Sequence, residues 1–316
     1  MASRARRDGV GGGGMTLHTF ATLFSGGGGV DVGLTAAGLQ HAWGVEYDAA
    51  IAGVAADNGF APIVADVRSV DYAALPRVDW LHASPVCTRA SVANSGATES
   101  EDDISMAAAV VRALEAQQPQ VFSLENVWQY RTFTSFRNIC DTLGRMGYFW
   151  TYDHVNAADM GVPQTRRRLI LRASRGLLPM LPQPVPWVGW YAAIADLIPT
   201  LPESKLAPWQ LTRLPHDLGG DVLLDGNNGY SDTGAPIMCQ AAQPAFTIAS
   251  ARPAIHRAVL GARVVAMTPR ALARFQSFPD TYRLPAQRSL AARVIGNAVP
   301  PLLMQRIAEG MQAVHP

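Results

Sequence analysis

The stretch Thr19-Phe20-Ala21-Thr22-Leu23-Phe24-Ser25-Gly26-Gly27-Gly28-Gly29-Val30-Asp31 decides the fold. An apolar run suited to a strand leads into four glycines, and Val30, Leu34 and Ala37 then recur at helical spacing. A strand–glycine–helix junction lets a ligand approach bare backbone, with the N–H groups of the helix start turned toward it. What fails narrows the ligand. A dinucleotide fingerprint needs Gly-x-Gly-x-x-Gly, but starting from Gly26 the last place is Asp31, and starting from Gly27 it is Val32. The Gly-Lys-Ser/Thr ending of a triphosphate loop is missing too. The junction predicts a nucleotide-like cofactor that is neither a dinucleotide nor a triphosphate.

Outward from this junction, strand and helix patterns alternate. Strands are expected at 18–24, 42–46, 63–65, 78–83, 121–124, 150–155 and 169–172, and helices at 32–39, 49–58, 104–118 and 133–146. That alternation predicts an α/β domain over 15–178 with a mostly parallel sheet, whose ligands sit beyond the carboxyl ends of the strands. Residues 1–14 read as a flexible basic, glycine-rich arm. After residue 178 the texture changes. Eight prolines between Pro179 and Pro215, and turns such as Asp225-Gly226-Asn227-Asn228-Gly229, predict a small irregular lobe over 179–284. Helices are expected again at 269–278 and 302–313.

Composition excludes several classes. The 316 residues are 48% hydrophobic and 16% charged, enough for a large core. No apolar run approaches a membrane span and no secretory leader is visible, so a cytoplasmic setting is expected. Cys87, Cys140 and Cys239 are too few and too scattered for a disulfide framework or a zinc site. Net charge is only +1, but residues 263–316 hold seven arginines against Asp280 and Glu309, while residues 179–262 hold four basic and six acidic groups. If nucleic acid binds, this split predicts that Arg263, Arg270 and Arg274 grip phosphates.

Strand ends supply the chemistry. The second strand ends at Glu46, 18 residues after Gly28 and close to where a carboxylate meets ribose hydroxyls in doubly wound folds. The third ends at Asp66-Val67, the fourth runs through Ser84-Pro85-Val86 to Cys87, and the fifth ends at Glu125-Asn126-Val127. Each alone has a bland explanation. A single cysteine is commonly a small buried hydrophobe, and Arg166-Arg167-Arg168 is most simply a solvated run. Together they place a thiol, a carboxylate and paired arginines at the rim that carries the glycine loop.

In that order these residues resemble the DNA (cytosine-5)-methyltransferase family. Phe24-Ser25-Gly26-Gly27-Gly28-Gly29 matches its Phe-x-Gly-x-Gly-Gly, and Cys87 falls where its nucleophile belongs. Glu125-Asn126-Val127 is its Glu-Asn-Val, and residues 161–168 match its Gly-x-Pro-Gln-x-Arg-x-Arg. The helix from Arg270 to Pro279 and the segment Gly296-Asn297-Ala298-Val299-Pro300-Pro301 complete six ordered matches. Two neighbours of Cys87 depart from the family pattern: Val86 stands where a proline is usual and Thr88 where a glutamine is.

The resemblance implies a Rossmann-like enzyme that transfers a methyl group from S-adenosylmethionine to carbon 5 of cytosine in double-stranded DNA, with no metal. It makes Cys87 a thiolate that adds to carbon 6, so that carbon 5 becomes nucleophilic. Glu125 would hold ring nitrogen 3 and the exocyclic amine. Arg168 would meet the carbonyl oxygen, and Arg166 a phosphate or the catalytic loop. The target base must be flipped out of the duplex. For the methyl donor it implies Phe24, Gly26 and Gly28 at the adenosyl and methionine surfaces, Glu46 at the ribose, and Asp66 and Val67 at the adenine. Asn297 and Val299 would close the pocket, which requires residues 285–316 to rejoin the first domain. The lobe at 179–284 would hold target recognition. Trp187, Trp190, Tyr191 and Trp209 there read either as base-stacking groups or as packing. A monomer serving a restriction–modification pair is expected. The rivals are a relative acting on RNA, an inactive binding protein, and a nicotinamide enzyme that the failed glycine fingerprint disfavours.

Overall fold

The computed structural model describes residues 17–85, 99–226, 237–249 and 256–314; Cys87 and the turn at 227–230 lie outside them. Seven strands form the main sheet: β1 (Thr19–Leu23), β2 (Gln40–Glu46), β3 (Pro62–Val64), β4 (Trp80–Ala83), β5 (Val121–Asn126), β6 (Phe149–Asn156) and β7 (Arg167–Ser174). Their order is β3-β2-β1-β4-β5-β7-β6. All neighbouring pairs from β3 to β5 are parallel, and β7 runs antiparallel to both β5 and β6. The chain leaves central β1 toward β2 on one side and reaches β4 on the other, which opens a crevice at the carboxyl ends.

Four helices cover this sheet: α1 (Gly29–Ala36), α2 (Ala49–Asp57), α3 (Glu101–Gln117) and α4 (Thr134–Arg145). Their starts are written locally. Asp48 caps α2 by accepting from Ala50 N and Ile51 N, and Ser100 with Asp103 forms a reciprocal capping box on α3. α1 begins three residues before the helical pattern does, because Gly28 at φ 87° serves as its N-cap. β4 begins two residues late because Asp79 is used otherwise, its carboxylate accepting from His18 N, Thr19 N and Thr19 Oγ1.

Beyond β7 lie α5 (Trp190–Ile194), α6 (Pro208–Leu211), α7 (Pro269–Phe275), α8 (Arg288–Asn297) and α9 (Pro301–Gln312). The segment expected to be irregular holds a second sheet: β8 (Val222–Leu224), β9 (Met238–Gln240), β10 (Arg257–Leu260) and β11 (Arg263–Ala266), antiparallel in the order β11-β10-β8-β9. Strands of three or four residues are too short for a period-two signal to stand out. Trp190 is fully buried and its Nε1 donates to Cys239 O, so it packs rather than stacks on bases.

The core has three main parts. Leu81, Phe122 and Leu124 pack with α3 and α4 on one sheet face. Phe20, Val30 and Leu34 pack with Leu303, Met304 and Ile307 of α9 on the other. Trp190, Phe246, Leu272 and Phe275 join Ile51 and Val54 of α2 in the third. Each large side chain buried there contributes roughly 1.5–3 kcal/mol. Because α9 lies on α1, the last helix supports the glycine loop from behind. A Cβ added at Gly29 would stand 2.5 Å from Val299 O, so this close approach needs glycine.

Candidate active site

A cavity of about 750 Å³ opens at the carboxyl ends of β1, β2, β4 and β5, within the range of small-molecule sites. Phe24, Gly26, Glu46, Asp66, Val67, Glu125, Arg166, Arg168, Asn297 and Val299 all line it. Gly28 does not; it holds the turn beneath as the α1 cap.

On the β1–β3 side the backbone is held first. Glu46 ends β2, and its Oε2 accepts from Gly26 N at 2.9 Å while Oε1 accepts from Asp48 N at 2.9 Å. Each oxygen keeps a further lone pair for a diol. Asp66 lines the cavity while its carboxylate is also held by Arg68. Its oxygens accept from Arg68 N, Nε and Nη2 at 2.6–3.1 Å, and Arg68 holds its carboxyl below the usual range. Val67 is buried, with its carbonyl accepting from Tyr72 Oη. Tyr282, from the loop after α7, donates to Gly27 O and ties the glycine turn to the C-terminal part of the chain.

Beneath this turn Asp31, 1% exposed, accepts from Thr22 Oγ1 at 2.8 Å. Burial raises its pKa to about 7, with the Thr22 bond opposing. His41 Nε2 lies 3.6 Å from Asp31 Oδ1 but makes no hydrogen bond, and burial lowers its pKa to about 4. Both shifts favour uncharged forms, so this is a neutral contact and not an ion pair.

On the β4–β7 side a chain of hydrogen bonds runs through the sheet. Trp80 Nε1 donates to Ser123 Oγ, which bonds His82 Nδ1 at 2.7 Å, and His82 Nε2 bonds Ser84 Oγ at 2.9 Å. The buried His82 ring is thereby held at both nitrogens, with burial lowering its pKa to about 3, so it bridges Ser123 and Ser84 as a neutral imidazole. Asn126 Nδ2 donates to Pro85 O at 3.0 Å, so the Glu-Asn-Val strand end also holds the chain leading toward Cys87.

Glu125 is 7% exposed and Arg168 Nε lies 3.0 Å from its Oε1, yet that oxygen accepts no directed hydrogen bond. The pair is a contact of charges with an acceptor left open. Arg166 is 4% exposed, with Nη1 donating to Ile248 O and Gly296 O and Nε unpartnered. Burial lowers its pKa, Arg168 adds to this, and Glu125 opposes. The Arg166 guanidinium lines the cavity wall and is tied to two backbone carbonyls. Gln164, from the same segment, is a structural hub: it donates to Gln276 Oε1 and accepts from Ile248 N.

The arginines expected to grip phosphates are otherwise engaged. Arg274 bonds Asp280 and, bidentately, Asp196; Arg263 bonds Glu203; Arg270 donates to Pro279 O and Tyr282 O. Arg274 with its two carboxylates carries a net negative charge, and the charge of Arg263 is met by Glu203.

The residues fit the methyl donor implied above. A Cβ built on Gly26 meets nothing within 4 Å, so this glycine faces open space, and the buried Ser25 Oγ has no partner. Among the described residues no cluster of His, Cys, Asp and Glu is placed to hold a metal ion.

Comparison with known proteins agrees with this geometry. The family model described as C-5 cytosine-specific DNA methylase matches residues 18–204 and 240–313. The Type II methyltransferase M.NlaX of Neisseria lactamica is 27% identical over 310 residues, covering 92% of this chain and 95% of that protein. M.NgoBI of Neisseria gonorrhoeae, likewise a Type II methyltransferase, is 25% identical over 300 residues, covering 90% and 89%. A prophage-encoded chain from E. coli, described as a DNA modification methyltransferase, superposes with a TM-score of 0.71 at 18% identity, covering 94% of this chain and 99% of its own. A Spodoptera frugiperda DNMT2 variant does so at 0.65 and 14%, covering 92% and 98%. At these identities the structures speak for the fold.

Proposed function

The chain belongs to the C-5 cytosine-specific DNA methylase family, and from that premise we propose that it methylates a cytosine flipped out of duplex DNA, with Cys87 as nucleophile and Glu125 and Arg168 as the cradle for the base. DNA cytosine-5 methylation is the family's reaction. The observation that carries the residue assignment is the buried, open acceptor at Glu125 Oε1 beside a guanidinium. Cytosine offers a matching edge: an amine and ring nitrogen for the carboxyl, and a carbonyl for the arginine.

Glu46, Ser25, the Gly26 backbone, Val67, Asn297 and Val299 would hold S-adenosylmethionine. When bound it supplies an electrophilic methyl group. Cys87 adds its thiolate to carbon 6 of the ring, and the displaced electron pair loads nitrogen 3 and the carbonyl oxygen. Glu125 shares a proton with nitrogen 3, and Arg168 stabilises the oxygen. Arg166 stays behind both as a buried guanidinium tied to the Ile248 and Gly296 carbonyls. After methyl transfer the carbon 5 proton leaves, carbon–sulfur cleavage returns the thiolate, and aromaticity is restored.

Methyl transfer from labelled S-adenosylmethionine to DNA and to RNA, followed by nucleoside analysis, tests this reading. The expected product is 5-methyldeoxycytidine. Label in RNA alone, or on the exocyclic amine of cytosine, would contradict it.

A further inference from the structure

Next to the base side of the cavity lie two arginines and a histidine that the mechanism above does not use. Trp128 follows Glu125 by three residues. Arg131 stands over its indole, 4.2 Å from the ring centroid, and donates from Nη1 to Trp128 O. His154 of β6 stacks on the same indole at 4.4 Å and 16°. Pairing of β6 with β7 sets His154 opposite Leu169 and Asn156 opposite Arg167, so Arg167 shares the face of His154 one pair further along. Arg167 and His154 are exposed.

The carboxylates around this face are occupied elsewhere. Asp153, beside His154 in sequence, points to the other side of β6 and pairs with Arg172 at 2.8 Å. Glu99 accepts from Thr134 N and Ser135 N at the start of α4. Glu125 belongs to the cavity and meets Arg168, which alternation places on the opposite face of β7 from Arg167. Among the described residues neither Arg131 nor Arg167 has an acidic partner. Burial and the two arginines hold the His154 imidazole below its ordinary pKa, so it stands as a neutral hydrogen-bonding group beside two gathered cations. Such a gathering opposes folding slightly and is offset when a polyanion arrives.

We propose that Arg131, Arg167 and His154, braced by the Trp128 indole, form the grip for the DNA phosphates flanking the flipped cytosine, in place of Arg263, Arg270 and Arg274. The inference rests on the proposed function above and names the surface through which that reaction takes its substrate. Its position is what the reaction needs. Val127 and Arg168 line the cavity, and Trp128 and Arg167 are their immediate neighbours. Glu125 lines the cavity three residues before Trp128. The contacts are to phosphate and carry no sequence information.

The test is the salt dependence of binding to a mixed-sequence DNA duplex, measured for the wild type, Arg131→Gln/Arg167→Gln, Arg131→Lys/Arg167→Lys and Arg263→Gln. Retained S-adenosylmethionine binding reports that each variant is folded. The glutamine pair should flatten the slope of log K against log salt by about 1.8, since each lost phosphate contact removes about 0.9. The lysine pair should restore most of it, and Arg263→Gln should leave it unchanged. A wild type that methylates DNA while the glutamine pair keeps the full slope overturns the grip and leaves the proposed function standing. A slope lost with Arg263→Gln instead returns the grip to the C-terminal arginines. A wild type that modifies RNA alone overturns the proposed function and this inference with it.

Discussion

On the β1–β3 side of the cavity the acidic groups accept directed hydrogen bonds from the protein, whereas on the β5–β7 side Glu125 has only the ion-pair contact with Arg168. Glu46 accepts from two backbone N–H groups and Asp66 from three donors of Arg68. Glu125 Oε1 and Arg166 Nε, more deeply buried, have no hydrogen-bond partner among the described residues. A buried acceptor without a donor costs about 1–3 kcal/mol. The difference separates a receptor built to a fixed shape from a site whose polar groups are completed by its substrate. The first holds a donor by shape and backbone; the second gains most from a group that arrives during reaction.

The largest effect that sharpens this contrast belongs to Glu125. Glu125→Gln keeps size and removes the charge, so turnover should fall by roughly a hundredfold or more while S-adenosylmethionine affinity stays near wild type. Steady-state kinetics and calorimetry separate the two. A loss of donor affinity at unchanged turnover would reverse the roles of the two sides.

Glu46→Gln should show the opposite split. An amide offers one acceptor where Gly26 N and Asp48 N use two, so one of these bonds is lost along with the carboxylate partner for a ribose diol. Donor affinity should fall by roughly tenfold, with turnover at saturating donor little changed. Equal affinity for donor in this variant would remove Glu46 from the binding side.

The last effect is on stability and not on activity, and lies beneath the glycine turn, in the neutral pair Asp31 and His41. The folded Asp31 pKa is raised from 3.8 to about 7, so its stabilisation is complete below the unfolded value and lost as pH rises toward 7. The folded His41 pKa is lowered from 6.5 to about 4, so its stabilisation is present above 6.5 and lost as pH falls toward 4. Between those limits the two slopes cancel. Asp31→Asn leaves His41 alone, so the stability of the variant relative to wild type should rise with pH between 4 and 6.5, by up to about 1.4 kcal/mol per pH unit. Chemical denaturation across that range checks it, and parallel curves for the two proteins would mean that Asp31 is charged in the fold.

Legibility in the sequence followed the same divide. The parallel strands are apolar runs that end in a functional residue, so Glu46, Asp66 and Glu125 could be found by reading strand ends. The antiparallel sheet β8–β11 could not, because its strands are too short to show a period. α8 went unread although Leu290, Ala291, Val294 and Ile295 lie on one helical face; it has no side-chain cap to mark its start. The arginines show the limit most clearly. A count of charge by segment picked out Arg263, Arg270 and Arg274, but only tertiary contacts reveal that Asp196, from a distant segment, meets Arg274. The same contacts show Arg167 to be exposed between two buried or paired arginines, where the sequence shows only a run of three.

The account turns on covalent attack by Cys87 on a base held by Glu125 and Arg168. Duplex DNA in which every cytosine is replaced by 5-fluorocytosine tests it most directly, because fluorine at carbon 5 cannot leave as a proton does. Incubated with S-adenosylmethionine, the wild type should form a denaturation-resistant complex with this DNA, peptide mass analysis should place the link at Cys87, and Cys87→Ala should form none. A complex that persists in Cys87→Ala, or a Cys87→Ala protein that still methylates ordinary DNA, would contradict it.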